Sequence, residues 1–210
     1  MRLRTFCINL DRRPDRLERF YSSFQGADLD IERLPAVDGS NIGINTDEWT
    51  PAGYPFKRGA AGCSLTHMVA HRMAMQMGLD SFLIMEDDCS PTGGVAQFNE
   101  SLAKVMADLP SDWDLLYLGG NHWHGELASV TDTLSRTNYT LTTHAVAFRH
   151  TVFDLFARKL VDLSKPCDVH YAESHRGLNA YVATPQLAFQ VPDFSDVQEQ
   201  YMDYTFIRDS

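Results

Sequence analysis

Residues 82–89 read FLIMEDDC, so that four apolar side chains run directly into three consecutive acids, Glu86, Asp87 and Asp88. A short apolar run of this kind, which we place at residues 81–85, is typical of a strand buried inside a sheet. The rest of the chain alternates strand patterns with helix patterns, which favours an α/β fold with a mostly parallel, mixed sheet and helices on both faces. In such sheets ligands bind beyond the carboxyl ends of the strands. The three acids therefore lie where a binding site is expected.

The same rules predict the other elements. Between Pro14 and Gly26 the apolar residues recur at i, i+3, i+4 and i+7, which is the stripe of a helix. Ser64 is expected to cap a second helix that ends near Met77. The remaining predicted elements are strands at 3–10, 113–120, 139–148 and 180–184 and helices at 95–109 and 151–163. We predict a single domain at residues 1–198 and a C-terminal tail at 199–210.

Composition limits the class of protein. The chain has 210 residues, of which 44% are hydrophobic and 11% aromatic, so it can bury one sizeable core. A net charge of −10 disfavours nucleic acid and anionic membranes as partners. No apolar run approaches the roughly 18 residues that cross a bilayer, and the four scattered cysteines are typical of a reducing compartment. We expect a soluble, cytoplasmic protein, with peripheral association with an inner membrane left open.

The acidic triplet has two readings. Successive side chains of a strand point to opposite sides, so Glu86 and Asp88 share one side while Asp87 faces the other. Crowded carboxylates disfavour each other's charged state, and a divalent Mg²⁺ or Mn²⁺ ion would remove that conflict. The alternative is a solvated loop whose acids cap the next helix. The buried strand that leads into the triplet favours the metal.

A basic segment follows the first strand. Arg12, Arg13 and Arg16 lie in the turn and first helical turn of INLDRRPDRLERF, residues 8–20. Arginines at a helix N-terminus suit a phosphate group. The alternative is solvated arginines and surface ion pairs such as Asp15 with Arg19. A basic strand end together with an acidic one favours a nucleotide diphosphate bound with a metal.

The order of several short motifs resembles glycosyltransferase family 25, which includes lipopolysaccharide galactosyltransferases and collagen galactosyltransferases. The motifs are INLDRRPDRLERF (8–20), AVDG (36–39), GCSLTH (62–67), FLIMEDD (82–88), WDLLYLGG (113–120) and TTHAVAF (142–148). The resemblance implies a GT-A-like fold, a UDP-sugar donor with galactose or glucose, Mn²⁺ (or Mg²⁺), inversion at the anomeric carbon and a glycan or other hydroxyl acceptor. It also suggests a part in lipopolysaccharide biosynthesis.

The resemblance assigns residues to the donor site. Glu86 and Asp88 match the acids expected to hold the metal, with Asp87 as a supporting group or a contact to the ribose or sugar. Further residues match positions expected near the nucleotide, or are basic or polar candidates beside it: Asn9, Arg12, Arg16, Asp38, Lys57, Arg58, Thr66, His67, Thr143 and His144. The family often has Ser-His where this chain has Thr66-His67, which keeps the hydroxyl.

Direct displacement at the sugar needs a base that takes the acceptor's proton. The segment KPCDVHYAESHRG, residues 165–177, supplies Asp168, His170, Glu173 and His175. We place Asp168 first, because the family also has an Asp after its Pro, and Glu173 second. One of the two histidines could complete the metal shell.

His67 and His71 are i, i+4 on one predicted helix, a spacing that can hold zinc. No HExxH arrangement accompanies them. The alternative places His67 near the nucleotide and His71 at the surface or in helix packing.

Two other functions share the same residues. A metal-dependent nucleotide-sugar or phosphoester hydrolase would use the acids and arginines with water as the acceptor. A nucleotide- or glycan-binding domain without turnover would keep only the binding role.

Overall fold

The computed structural model describes residues 2–43, 58–197 and 200–204. The strands are β1 (Leu3–Asn9), β2 (Leu29–Pro35), β3 (Ser81–Glu86), β4 (Cys89–Pro91), β5 (Leu115–Asn121), β6 (Leu127–Ser129), β7 (Leu134–Thr137), β8 (Leu141–Arg149), β9 (Ala180–Ala183), β10 (Ala188–Gln190), β11 (Asp193–Ser195) and β12 (Gln200–Met202). The helices are α1 (Pro14–Ser23), α2 (Arg58–Gln76), α3 (Val95–Asp108), α4 (Phe153–Lys159) and α5 (Cys167–Ser174).

One mixed sheet organises the chain, with strand order β2-β1-β3-β8-β5-β9-β7-β6. β1 is parallel to both β2 and β3, and β9 is parallel to β5. β8 is antiparallel to β3 and β5. The carboxyl ends of β1 and β3 therefore share an edge of the sheet with the beginning of β8. The α/β class with a mixed sheet is confirmed.

Helices cover both faces of the sheet, and the period-two alternation of β3 shows how. Phe82 and Ile84 point into a core with residues of α2, α4 and α5. Leu83 and Met85 point into the opposite core, which contains residues of α1 and α3. Glu86 continues the first series and Asp87 the second. The two acids therefore face different halves of the molecule.

The predicted start of the second helix is wrong. The helix already includes Arg58, and Ser64 is buried inside it instead of capping it. Gly59 and Gly62 suggested a loop before Ser64, but they lie within the helix, where they allow close packing. A Cβ on Gly62 would lie 2.4 Å from the carbonyl oxygen of Val37, so a side chain would push α2 away from the loop after β2.

Other predicted boundaries differ less. A short 3-10 turn at His150–Val152 precedes α4, which ends at Lys159. The sequence reading missed β2 and α5, as well as the short strands that carry no clear alternation. β11 and β12 pair across residue 198, and the division there between a domain and a tail stays a prediction. Within the described ranges, no helix is both long enough and apolar enough to cross a membrane.

Candidate active site

A cleft of about 670 Å³ opens at the shared edge of β1, β3 and β8. The loop after β2, the beginning of α2, the beginning of α5 and the β11 segment complete its lining. Of the residues predicted from sequence, ten line this cleft: Asn9, Arg12, Arg16, Asp38, Arg58, Glu86, Asp87, Asp88, Thr143 and Asp168. The structure therefore brings most of the predicted site together.

Glu86 and Asp87 are neighbours in sequence but face different surroundings. Glu86 accepts a hydrogen bond from the hydroxyl of Thr143 at 2.7 Å. Asp87 accepts one from the side-chain amide of Asn9 at 2.6 Å and pairs with Arg16 at 2.8 Å. Burial and the nearby charge of Asp88 raise the pKa of Glu86 to about 8. Burial also raises the pKa of Asp87, but only to about 6, because the guanidinium of Arg16 opposes the effect.

Asp88 completes the triplet. Its Oδ2 lies 2.5 Å from Nη2 of Arg16, and its backbone carbonyl accepts from the N–H of Val191 at 2.8 Å. Its other oxygen, Oδ1, is buried and has no hydrogen-bond partner among the described residues. A buried carboxylate oxygen without a partner is costly, so this atom marks a place for a donor or a cation.

One side of the cleft, here called the arginine wall, consists of Arg12 and Arg16, which line it, and of Arg13, which lies outside the lining, with the acids that pair with them. Arg12 pairs with Asp38 and, at 2.7 Å, with Asp196. Arg13 reaches the other oxygen of Asp196, also at 2.7 Å. The 3-10 turn after β2 thus supplies one acid, and the chain after β11 supplies the other.

The opposite side, here called the thiol wall, consists of Cys63 on α2, Thr143 on β8, and Cys167 and Asp168 at the start of α5. The two sulfurs lie 3.6 Å apart, and Sγ of Cys167 lies 3.9 Å from the hydroxyl of Thr143. No guanidinium or ammonium group is among these four residues, in contrast to the arginine wall.

The side chain of Asp168 is held by a backbone N–H group of β8. Its Oδ2 accepts a hydrogen bond from the N–H of Thr142 at 3.2 Å, and burial raises its pKa. Thr142 has a φ of 65°, which is an uncommon conformation for a β-branched residue. Strained backbone of this kind is concentrated at functional sites. The beginning of β8 therefore presents an amide N–H to Asp168, the first candidate for the base.

Four of the predicted residues lie away from the cleft lining. Thr66 is buried, where its hydroxyl accepts from the N–H of Val37 and so holds the loop before Asp38 against α2. His67 is also buried, with Nδ1 3.1 Å from the hydroxyl of Tyr171.

The other two are His144 and Glu173. His144 is buried on β8, with Nε2 3.4 Å from the carbonyl oxygen of Ala188. Glu173 is exposed and pairs with Lys165 at 2.6 Å. Lys57 lies outside the described residues.

The sequence reading missed both thiols of the thiol wall and the β11 segment. Phe194, Ser195 and Asp196 line the cleft although they are far from the other lining residues in sequence. The stretch PDFSD, residues 192–196, has a charged residue beside an aromatic one but no motif. The segment belongs to the site because Asp196 pairs with Arg12 and Arg13 in the folded chain.

Comparison with known families now identifies the chain. The family described as "Glycosyltransferase family 25 (LPS biosynthesis protein)" matches residues 2–204. The chain belongs to this family. The resemblance inferred from the six sequence motifs is therefore confirmed.

Individual relatives match a smaller part of the chain than the family model does. Mouse procollagen galactosyltransferase 2 is 32% identical over 130 residues, which cover 54% of this chain and 20% of the relative. A human protein named inactive glycosyltransferase 25 family member 3 is 29% identical over 145 residues, which cover 61% of this chain and 24% of the relative. The chain thus spans only about a fifth to a quarter of the length of these relatives.

A solved structure shares the fold. The crystal structure of A197 from STIV aligns with 96% of this chain and 93% of its own length, with a TM-score of 0.54 and 13% identity. At that identity the similarity shows the fold alone. It extends over nearly all of both chains, as expected for one shared α/β architecture.

Proposed function

We propose that this chain is a glycosyltransferase that moves a hexose, galactose or glucose, from a UDP-sugar to a hydroxyl of a glycan or other acceptor, with Mn²⁺ or Mg²⁺ and with inversion. The observation that carries the proposal is the acidic triplet at the end of β3, which lines the same cleft as Arg12 and Arg16 and contacts Arg16 directly through Asp87 and Asp88. Membership of family 25 supports the class of reaction.

The residues present fit a divalent ion. Asp88 offers a buried oxygen, Oδ1, without a partner among the described residues. Glu86 has a pKa of about 8 because burial and Asp88 disfavour its charge, and a cation would favour that charge. Hard divalent ions prefer such carboxylate oxygens. Glu86 and Asp88 would hold the ion, and when bound it would neutralise charge on the diphosphate leaving group.

The arginine wall would bind the donor's diphosphate. Planar guanidinium groups match phosphate oxygens in pairs, and Arg12 and Arg16 line the cleft. A diphosphate would take over the contact that Asp196 now makes with Arg12. Asp38 is suited to accept from the ribose or base, because hydrogen bonds from Ser40 keep its pKa low and its side chain charged.

The thiol wall would hold the acceptor's reacting hydroxyl. Asp168 would take the proton of that hydroxyl as it attacks the anomeric carbon. Burial raises the pKa of Asp168, which makes it a better base than an ordinary exposed aspartate. The N–H of Thr142 fixes one carboxylate oxygen and leaves the orientation of the group defined.

A calorimetric titration tests the proposal. UDP should bind more tightly with Mn²⁺ than after chelation of divalent ions, and Asp88→Asn should abolish this difference. Asp132→Asn is the matched control, because it removes an exposed carboxylate in the β6–β7 hairpin away from the cleft. If chelation and Asp88→Asn both leave the UDP affinity unchanged, the metal assignment fails. If UDP does not bind with or without Mn²⁺, the donor assignment fails.

Product analysis separates the alternatives. A transferase should release UDP faster when a suitable sugar acceptor is added, whereas steady UDP-sugar hydrolysis that no acceptor changes would indicate a hydrolase. Tight UDP binding without turnover on any acceptor would indicate a binding domain. A relative named inactive makes that last outcome a specific alternative.

A further inference from the structure

Three side chains of the kinds that bind metals meet at the thiol wall, two of them from the wall and one buried beside it, and none is part of the acidic triplet. The two sulfurs of Cys63 and Cys167 and one ring nitrogen of His67 lie within 4.8 Å of one another. Cys63 and His67 are four residues apart on α2, so they lie on one side of that helix. Cys167 comes from the first turn of α5.

The spacing of the sulfurs matches a zinc ion. Two thiolates bound at about 2.3 Å with a tetrahedral angle lie about 3.8 Å apart, and the two sulfurs here are 3.6 Å apart. Two thiolates would also neutralise a divalent cation completely, which favours burial of the group.

His67 provides an independent observation. Its side chain is fully buried, and its Nε2 has no hydrogen-bond partner in the part of the chain that the structure describes. Its Nδ1 lies 3.1 Å from the hydroxyl of Tyr171, which in turn lies 3.0 Å from Nε2 of His71. A buried ring nitrogen without a partner costs stability unless a ligand takes its lone pair.

The contact with Tyr171 also fits a metal-bound histidine. In one direction of these two hydrogen bonds, Nδ1 of His67 donates to the phenol oxygen of Tyr171, and that phenol donates to Nε2 of His71. Nε2 of His67 then carries the free lone pair. Metal-ligating histidines commonly use their second ring nitrogen in this way, and such a contact fixes the tautomer and the ring orientation.

We infer that Cys63, His67 and Cys167 form a site for one Zn²⁺ ion, separate from the carboxylate site on the same cleft. Thiolate and imidazole ligands select zinc, whereas carboxylates select Mg²⁺ or Mn²⁺. Both cysteines line the cleft, so the fourth coordination position faces it. The ion would join α2 to α5 and hold Asp168, which follows Cys167 directly, in its place.

The proposal is tested with Co²⁺ and Zn²⁺ on the full chain, whatever its transfer activity. Wild-type protein stripped of metal should bind one equivalent of Zn²⁺ in competition with a coloured chelator. With Co²⁺ it should show an intense thiolate-to-metal charge-transfer band, which carboxylate ligands cannot give. Both signals should disappear in the variant Cys63→Ala/Cys167→Ala, and the band should weaken in His67→Gln.

The chain contains a matched control. Cys7 and Cys89 are the other two cysteines, and both are buried in the core on the opposite face of the sheet. Cys7→Ala/Cys89→Ala should keep the zinc stoichiometry and the charge-transfer band, and circular dichroism checks that both double variants are folded. Glu86→Gln should also keep the band, which distinguishes this site from the proposed Mn²⁺ site.

Three results would overturn the proposal. The first is wild-type protein that binds Co²⁺ without a charge-transfer band. The second is a Cys63→Ala/Cys167→Ala variant that is folded and retains its zinc. The third is a Cys63–Cys167 disulfide that persists in fresh protein under reducing conditions in the presence of Zn²⁺.

Discussion

The arginine wall and the thiol wall face the same cleft but differ in how their charged groups are paired. On the arginine wall every guanidinium lies against at least one carboxylate, and the buried Arg16 touches both Asp87 and Asp88. On the thiol wall Thr143 and Cys167 are buried, Cys63 and Asp168 are half-buried, and none of the four forms an ion pair within the part of the chain that the structure describes. Burial raises the pKa of Asp168. The end of β3 contacts both walls, because Asp87 pairs with Arg16 whereas Glu86 accepts a hydrogen bond from Thr143.

This difference suggests a division of work. Fixed, paired charges suit the binding of a charged donor, since their orientation is set before the ligand arrives. A carboxylate with a raised pKa suits proton transfer. Substitutions in the arginine wall should therefore change donor binding, and substitutions in the thiol wall should change the rate of transfer.

The largest effect is expected from the thiol wall. Asp168→Asn should lower kcat by about 10²–10⁴-fold, the usual contribution of a general base. UDP affinity should stay within about twofold, because Asp168 lies opposite the arginines that would hold the diphosphate. Steady-state kinetics and calorimetry measure the two quantities.

Glu173→Gln provides the control for that experiment. Glu173 lies on the same helix, α5, but is exposed and paired with Lys165, so its removal should leave kcat unchanged. If Glu173→Gln abolishes transfer and Asp168→Asn does not, the second sequence candidate is the base and the assignment of the thiol wall is wrong.

The next largest effect tests the buried charges of the arginine wall. The side chains of Arg16 and Asp87 are only 7% and 8% exposed. Arg16→Met would leave two carboxylates without their cation and should lower the free energy of unfolding by about 3–5 kcal/mol. Denaturant unfolding of the metal-free protein measures the loss.

A second substitution distinguishes lost pairing from lost packing. Adding Asp87→Asn to Arg16→Met should recover part of the stability, because it removes one of the stranded charges. If the double variant is as unstable as the sum of the single ones, the ion pair contributes little and the two walls differ less than their contacts suggest.

The third effect concerns acid. His175 lies in the core behind the thiol wall, with Nε2 3.1 Å from the hydroxyl of Tyr117, and burial lowers its pKa from 6.5 to about 4. As the pH falls below 6.5 the unfolded chain takes up a proton that the native protein does not, so the free energy of unfolding falls. The loss for this group should be about 2 kcal/mol between pH 7 and pH 5.

His175→Gln checks the origin of that loss. Glutamine can keep a hydrogen bond to Tyr117 but cannot titrate, so the variant should have a shallower pH dependence by that amount. Asp196→Asn alters the arginine wall and should keep the wild-type slope in this range. An unchanged slope in His175→Gln would show that the acid sensitivity arises elsewhere.

The sequence predicted the triplet and its sheet edge well, because local patterns encode both. An apolar run that ends in acids is visible in residues 82–88, and the alternation of β3 assigns Glu86 and Asp87 to different sides. The helix at 14–23 was equally clear, since its stripe and its Pro are contiguous.

The thiol wall could not be predicted in the same way. Cys63 and Cys167 are brought together only by the packing of α2 and α5, and the start of α2 was itself misplaced. Gly59 and Gly62 look like punctuation in the sequence, whereas here they allow close backbone approach. The zinc alternative considered for His67 paired it with His71, but the nearer ligands are a cysteine one turn earlier and a cysteine on another helix.

The smallest expected effect concerns Asp196, which follows β11 directly and pairs with the arginine wall. It accepts from Arg12 and Arg13 at 2.7 Å each, and the contact with Arg12, which lines the cleft, is the one that a diphosphate would replace. Asp196→Asn weakens the competing contact, so UDP should bind about two- to fivefold more tightly, at a cost in stability of no more than about 1 kcal/mol.

Asp15→Asn is the control, because Asp15 pairs with the same Arg13 at 3.1 Å but lies outside the cleft lining. It should leave the UDP affinity unchanged in the same calorimetric titration. Weaker UDP binding in Asp196→Asn would have the opposite meaning: the acid would then orient the arginines for the donor instead of competing with it. The sign of the change in UDP affinity therefore shows whether Asp196 orients the arginines for the donor or competes with the donor for them.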